Sequence, residues 1–375
     1  MNNSTDILRR TLVIVALSAP LCLVIIITIV GNVMVMLAIV LDRNLQRPQY
    51  YLIFSLALAD LLVGLLVLPP VAVTEVKQFW PYGALVCEIW IAFDVLCCTA
   101  SIWHLVAIAF DRYRSVKNIA YAQKRSHRQV LFTVGCIWIL SLFISISPLL
   151  GWKDPDFQFR ISQKICLISQ DIGFQMFSTL MAFYLPSLII LFLYYRIWQT
   201  ARQRIRRSAE RSPKRAASQR SINQSGISIF RASSCVAIRE LGGQNRPQIR
   251  DVSMVWLDSV ATPSEILRGD GASLDSPTMR TPLTTPKKQS STGADGKKER
   301  KAFRTLAIVT GTFVVCWLPF FVLAVVRPIC NCRWNKLIDS ISLWLGYANS
   351  TINPLIYTIF SPDFRKAFKK LVLRR

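Results

Sequence analysis

The sequence predicts an all-α fold: a bundle of seven transmembrane helices, a short amphipathic helix after the seventh, and a long disordered third cytoplasmic loop. Two observations predict it. Hydrophobic residues make up 52% of the chain and charged residues only 18%, below the quarter usual in soluble domains, and the mean hydropathy is +0.38. Seven separate stretches are also long enough to cross a hydrocarbon core, which takes about 20 apolar residues at about 1.5 Å each. The formal charge of +24, from 45 Lys+Arg against 21 Asp+Glu, would by itself suit a nucleic-acid binder. Such domains are not this apolar, so no nucleic-acid partner is expected.

The stretches follow in order. Leu12–Val40 lies between Arg10 and Asp42; it is too long for a secretory signal and lacks a small-residue cleavage site, so it reads as a retained helix. Tyr51–Val76 begins after Pro48 and ends at Lys77, and Val86–Ala109 ends at Asp111-Arg112. Val130–Leu150 lies between Arg128 and Gly151, and Phe174–Tyr195 between Gly173 and Arg196. Leu306–Val326 is flanked by Arg304 and Arg327, and Leu337–Phe360 by Lys336 and Pro362. Charges, Gly and Pro at these ends are the expected helix punctuation. The chain divides into an extracellular tail at 1–11, five spans within 12–205, a loop at 206–296, two spans within 297–360 and the amphipathic end at 361–375.

The basic residues orient the bundle. Of the 45, the loops and tail on one face hold 36 and the other face 9. With the long loop discounted, as the rule for short loops requires, the balance is 14 to 9, placing the N-terminus outside and the C-terminus inside. Asn2 and Asn3 each open a glycosylation triplet, Asn2-Asn3-Ser4 and Asn3-Ser4-Thr5, in agreement with that orientation. The loop at 206–296 is rich in Ser, Thr, Arg and Pro, with Phe230 and Trp256 its only aromatics. It has too little apolar surface to offset its ordering entropy. Ser208, Ser212, Thr281 and Thr285 there are candidate phosphorylation sites, and a plain solvated tether explains each equally well. After Phe360, apolar Phe364, Phe368, Leu371 and Val372 recur at helical spacing among Arg365, Lys366, Lys369 and Lys370, a pattern suited to the inner lipid surface.

Four of the ten cysteines face outside: Cys87, Cys166, Cys330 and Cys332. Two bridges fit that oxidising side. The favoured pairs are Cys87 with Cys166, tying the third span to the fourth-to-fifth loop, and Cys330 with Cys332, which would be a strained link across one residue.

Ionisable groups inside a bilayer cost about 2.5–3.5 kcal/mol at mid-helix, so each needs a reason. Asp60 falls mid-way along the second span, Asp94 in the outer half of the third, and Asp111-Arg112 at its inner end. His104 reads as a packed, hydrogen-bonded residue. Asp94 lies seven residues after Cys87 with no cation on its own helix, an arrangement that invites a cationic ligand. An ammonium–carboxylate bond contributes about 1.5–3 kcal/mol. Aromatics on other spans, Trp317, Phe320, Phe321, Trp344 and Tyr347, would add about 0.5–2 kcal/mol each by cation–π contact. The bland reading of Asp94 is a structural carboxylate bonded to Tyr347. No metal-ligand cluster, phosphate loop or nucleophile motif is visible, so enzymatic chemistry is not expected. A transporter or channel would show internal repeats, and none is found.

Motifs recur along the spans in order: Gly31-Asn32, Leu56-Ala57-Leu58-Ala59-Asp60, Asp111-Arg112-Tyr113, Trp138, Pro186, Cys316-Trp317-Leu318-Pro319 and Asn353-Pro354-Leu355-Ile356-Tyr357. Each is weak alone; together they are specific. Over all seven spans, with the long loop unmatched, the chain resembles a rhodopsin-like (class A) G-protein-coupled receptor. Asp94, Phe320-Phe321 and Trp344-Leu345-Gly346-Tyr347 place the resemblance among biogenic-amine receptors. Asp94-Val95-Leu96-Cys97-Cys98-Thr99 and the run from Ser178-Thr179 to Ala182 and Pro186 are similar to type-1 serotonin receptors. Catecholamine receptors usually carry serine where Ala182 stands.

The resemblance implies a plasma-membrane receptor for a cationic amine, serotonin first and tyramine or octopamine as the alternative. It implies a heterotrimeric G protein of the Gi/o class as partner, with cyclic AMP lowered. Its implied ligand site is Asp94, Val95, Cys98, Thr99, Ile168, Ser178, Thr179, Ala182, Trp317, Phe320, Phe321, Ala324, Trp344 and Tyr347. Ile102, Pro186 and Phe313 would form a packing switch, Asn353, Pro354 and Tyr357 a second, and Arg112 would pair with Asp111 and Glu299 beside Tyr113. No cofactor is implied beyond an allosteric sodium ion at Asp60, Ser101, Asn349 and Ser350, oxygen ligands suited to a hard cation. The chain departs from the family pattern at Arg114, Ile119 and Leu343, where an aromatic, a proline and an asparagine are usual.

Overall fold

A computed structural model describes residues 2–118, 121, 125–152, 154–200, 202–203, 292–330 and 335–373, with backbone alone at 2–11, 13, 292–304, 306 and 328. Eight main helices carry the fold: α1 (Asn2–Leu41), α2 (Pro48–Lys77), α3 (Gly83–Lys117), α4 (His127–Ile146), α5 (Ile172–Thr200), α6 (Thr292–Cys330), α7 (Lys336–Phe360) and α8 (Pro362–Leu373). No strand is present among the described residues. α1 extends back through the stretch expected as a tail, and α6 begins at Thr292, inside the stretch expected as loop. The rest of that loop, with its candidate phosphorylation sites, lies outside the described residues, as do Ile119, Cys332 and the side chains of Asn2, Asn3 and Glu299.

Six helices, α1 to α6, are long and apolar enough to cross a membrane, one fewer than expected. α7 fails on composition because it turns Ser342, Asn349, Ser350, Thr351 and Asn353 into the bundle, all of them buried. Its polar content serves its neighbours rather than lipid. On the outer faces Phe132, Ile139, Leu150 and Val315 are 75%, 71%, 71% and 67% exposed, a greasy surface that only lipid would cover.

Two helices loosen where proline follows. A π-turn at Val63–Val67 precedes Pro69 and Pro70, and another at Leu180–Tyr184 precedes Pro186. A proline ring collides with the carbonyl four residues back, and a wide turn makes room for it while keeping the other backbone groups bonded.

The bundle is then pinned by polar bonds between helices, since lipid gives apolar faces little reason to leave it. Asn32 Nδ2 donates to the Ser350 carbonyl (3.1 Å) and Thr28 meets Thr351 (2.6 Å), joining α1 to α7. Trp138 Nε1 donates to Ser55 (2.9 Å) from α4 to α2, and Trp103 Nε1 to the Met181 carbonyl (3.2 Å) from α3 to α5. Tyr194 and Tyr184 bond to Thr310 (3.0 Å) and to the Phe321 carbonyl (3.1 Å), joining α5 to α6. At the end of the bundle that carries α8, Tyr50 donates to Asp363 (3.1 Å) and Tyr357 stacks on Phe364 at 5.3 Å, fastening α8.

The Cys87–Cys166 bridge is formed. It draws the α4–α5 loop over the outer end of the bundle. In that loop Asp154 accepts from the N–H of Gln170 (2.8 Å) and of Asp156 (2.8 Å) and pairs with Arg160. Burial pushes the Asp154 carboxyl up, but those bonds outweigh it and hold it below the usual range.

At the inner end the structure corrects one expectation. Asp111 makes its salt bridge to Arg125 rather than to Arg112, which stays near enough only to attract it. Its Oδ2 takes Arg125 Nη2 at 2.8 Å and its Oδ1 accepts from Tyr121 at 3.4 Å. Arg125 also donates to Gln49 Oε1 (2.7 Å) and Ser115 Oγ (2.6 Å), and Arg114 lies 4.2 Å over the Tyr121 ring. The Arg125 and Asp111 side chains are only 6% and 8% exposed. Removing one partner of a buried pair costs about 3–5 kcal/mol, whereas an exposed pair contributes about 0–1 kcal/mol. Arg125→Met should therefore lower the apparent melting temperature of the detergent-solubilised protein by several degrees. Lys370→Met breaks the 3.1 Å pair to Asp42, but the lysine is 57% exposed and the Asp42 carboxylate, 9% exposed, keeps its bonds from the Asn44 N–H and Nδ2 (3.0 Å each). This substitution should lower the melting temperature much less; equal shifts would contradict the assignment.

Candidate functional site

A cavity of about 300 Å³ opens under the α4–α5 loop, between α2, α3, α5, α6 and α7. Twelve of the expected ligand residues line it: Asp94, Val95, Cys98 and Thr99 from α3, Ile168 from the loop, Ser178, Thr179 and Ala182 from α5, and Trp317, Phe320, Phe321 and Ala324 from α6. Spacing explains the α3 set, because positions 94, 95, 98 and 99 recur on one helix face.

Trp344 and Tyr347 do not line it. Tyr347 is fully buried and packs edge-on against Trp317 at 5.9 Å, and Trp344 packs on Tyr347 at 6.1 Å. They form the wall behind the cavity floor. Gly346 lets α7 approach so closely: a Cβ there would fall 2.7 Å from the Trp317 ring. Below, Phe313 stands between Phe183 (6.5 Å) and Trp317 (6.4 Å), and Phe183 stacks on Phe321 at 4.5 Å. Ile102 and Phe313 are buried in the same core, and Pro186 is buried nearby on α5.

The polar groups are unevenly satisfied. The contact recorded for the Asp94 carboxylate is Cys98 Sγ at 3.5 Å, and no cationic side chain pairs with it among the described residues. Tyr347 stands beside Asp94 and its hydroxyl interacts with the carboxylate, though not in regular hydrogen-bond geometry, so a structural contact and room for a ligand cation coexist at this acid. Thr99 Oγ1 is buried without a partner. Ser178 and Thr179 donate to the Gln175 carbonyl at 3.3 and 2.6 Å, which leaves their oxygens free to accept. The site thus offers one anion, an aromatic floor and hydroxyls on the opposite side.

Deeper, Asp60 is fully buried. It accepts from Ser101 (3.3 Å), Ser350 (2.8 Å) and Asn353 (2.8 Å), while Asn349 Oδ1 is buried nearby without a partner.

Sequence reasoning did not single out Glu75, Trp80, Trp90, Gln170, Gln175, Arg327, Asp339 or Ser340, which also line the cavity. Glu75, Arg327 and Asp339 sit at span ends, where charge is ordinary, so nothing in the linear sequence separated them from interfacial residues. Arg125 was one of six basic residues in its loop; only the fold reveals its burial.

Comparison with known proteins agrees with this architecture. The family model described as 7 transmembrane receptor (rhodopsin family) matches residues 31–357. A 5-hydroxytryptamine receptor of Bombyx mori is 44% identical, over 96% of this chain and 84% of that protein. One from Heliothis virescens is 41% identical over 91% and 81%, and the 5-hydroxytryptamine receptor 1A of Xenopus laevis 38% over 92% and 88%. The chain belongs to the rhodopsin family of seven-transmembrane receptors.

Proposed function

We propose that this receptor binds serotonin and signals through a Gi/o-class G protein to lower cyclic AMP, with its N-terminus outside the plasma membrane. The observation that carries the reading is Asp94, an unpaired carboxylate in an aromatic cavity. A primary ammonium supplies the missing cation and the aromatic rings around it add attraction. The indole N–H can donate to Thr99 and the ring hydroxyl can bond to Ser178. Three relatives carrying the name 5-hydroxytryptamine receptor support the same ligand. The small Ala182 beside Ser178 provides no second hydroxyl for a catechol. For coupling, the support is the long basic connection between α5 and α6 and the basic inner face.

Agonist can shift the receptor only by binding one state better than another. In this structure the lever would be Trp317, which touches the cavity on one side and Phe313 on the other, with Ile102 and Pro186 below. At the inner end Arg112, released from Asp111 by Arg125, would meet the G protein beside Tyr113, while Asn353, Pro354 and Tyr357 would let α7 adjust. Asp60, Ser101, Ser350 and the unpartnered Asn349 oxygen make an oxygen-only set that would hold a sodium ion; bound there, the ion would favour the resting state.

Asp94→Asn keeps shape and removes charge. Serotonin binding to intact transfected cells should fall by at least a hundredfold with surface expression retained; unchanged affinity would overturn the amine site. In wild-type cells serotonin should lower forskolin-raised cyclic AMP without a calcium rise. Greater potency of tyramine or octopamine in the same panel would replace serotonin as the ligand. Exchanging sodium for N-methylglucamine should raise serotonin affinity several-fold in wild-type membranes but not in Asp60→Asn; an equal rise in both would contradict the sodium site.

A further inference from the structure

The cavity mouth carries charges that the ligand contacts do not use. Arg327 Nη2 on α6 pairs with Asp339 Oδ1 on α7 across the opening, and both residues line the cavity. Arg327 lies ten residues beyond Trp317, and Asp339 eight before Tyr347. At about 1.5 Å per residue they stand about 12–15 Å outward of the floor. Their side chains remain 33% and 39% exposed, so the pair is wet and contributes little to stability. Facing it on α2 is Glu75, which accepts from Ser340 Oγ at 2.7 Å and has no Lys or Arg partner among the described residues.

We propose that the Arg327–Asp339 pair is an electrostatic filter that sets how fast cations enter the cavity, a role additional to the binding site and resting on the reading of that site as a cation site. A cation bound for Asp94 must pass Arg327. Paired, Arg327 is cancelled by Asp339, and Glu75 leaves the described charged residues of the mouth net negative and attractive. Without Asp339 the bare guanidinium would oppose entry; without Arg327 two carboxylates would draw the cation in. One unit charge at this range, partly screened by water, changes an entry rate by about two- to fivefold. The effect should fade as salt rises, because the groups are exposed.

Cys98 is a natural reporter, since it lines the cavity beside Asp94 and is unbridged. The test uses the full-length receptor in membranes and measures labelling of Cys98 by a trimethylammonium methanethiosulfonate and by a neutral one, with the Cys98 peptide read by mass spectrometry. The cation-to-neutral rate ratio cancels differences in thiol reactivity and in the width of the mouth. Arg327→Gln should raise the ratio about threefold and Asp339→Asn lower it about threefold. The double variant should return it to near wild type, and all contrasts should shrink from low to physiological ionic strength. Ratios that move the same way in both single variants, or do not move, would overturn the filter; a mere steric latch would instead speed both reagents alike. Protection of wild-type Cys98 by serotonin reads the amine site separately, so a filter that works without protection would indict the ligand and spare the filter.

Discussion

One buried carboxylate governs the middle of this bundle. Asp60 is fully buried, with no cationic side chain paired to it among the described residues; it is held by hydroxyls of Ser101 and Ser350 and the amide of Asn353. An unsolvated acid is costly in lipid, so α2, α3 and α7 must keep the rotations that supply those donors. The same constraint makes α7 the least apolar of the seven spans, since it must bring polar groups inward. Fixing the rotation of α7 in turn fixes Tyr347 and Gly346 against Trp317. The floor of the outer cavity is thus set from below.

Asp60 and Asp94 show how burial divides structure from function. The first is surrounded by donors from its own chain. The second has a thiol at 3.5 Å, the Tyr347 hydroxyl beside it and open cavity before it. An acid without a cationic partner beside an aromatic cavity is the feature on which the proposed amine site rests, and the size of the cavity suits a small ligand.

Much of this was legible in the linear sequence. Hydropathy found the helices because lipid forces every span to be long and apolar, and motif order placed Asp94, Thr99, Ser178 and Phe320 on one cavity. What it missed follows a pattern. The apolar count treated α7 like the others, although its polar residues are repaid by neighbours that only the fold reveals. Trp344 and Tyr347 were expected in the ligand's path from their depth in the span and the family resemblance, neither of which says whether a ring opens to the cavity or packs behind it. The pairing of Asp111 went to Arg125, which lies outside the Asp-Arg-Tyr triplet, ahead of the next helix, and no local pattern marks it as the partner. Glu75, Arg327 and Asp339 meet at the mouth from three different span ends, and no local pattern announces such a meeting.

Where a cation rests decides the proposed function. A cryo-electron microscopy map of the receptor with serotonin bound would test it most directly. The ammonium should lie within about 3.2 Å of an Asp94 carboxylate oxygen, with the indole over Trp317 and Phe320 and its ring hydroxyl toward Ser178. Serotonin density centred at Glu75 in the mouth, or anywhere that leaves Asp94 without an ammonium partner, would contradict it.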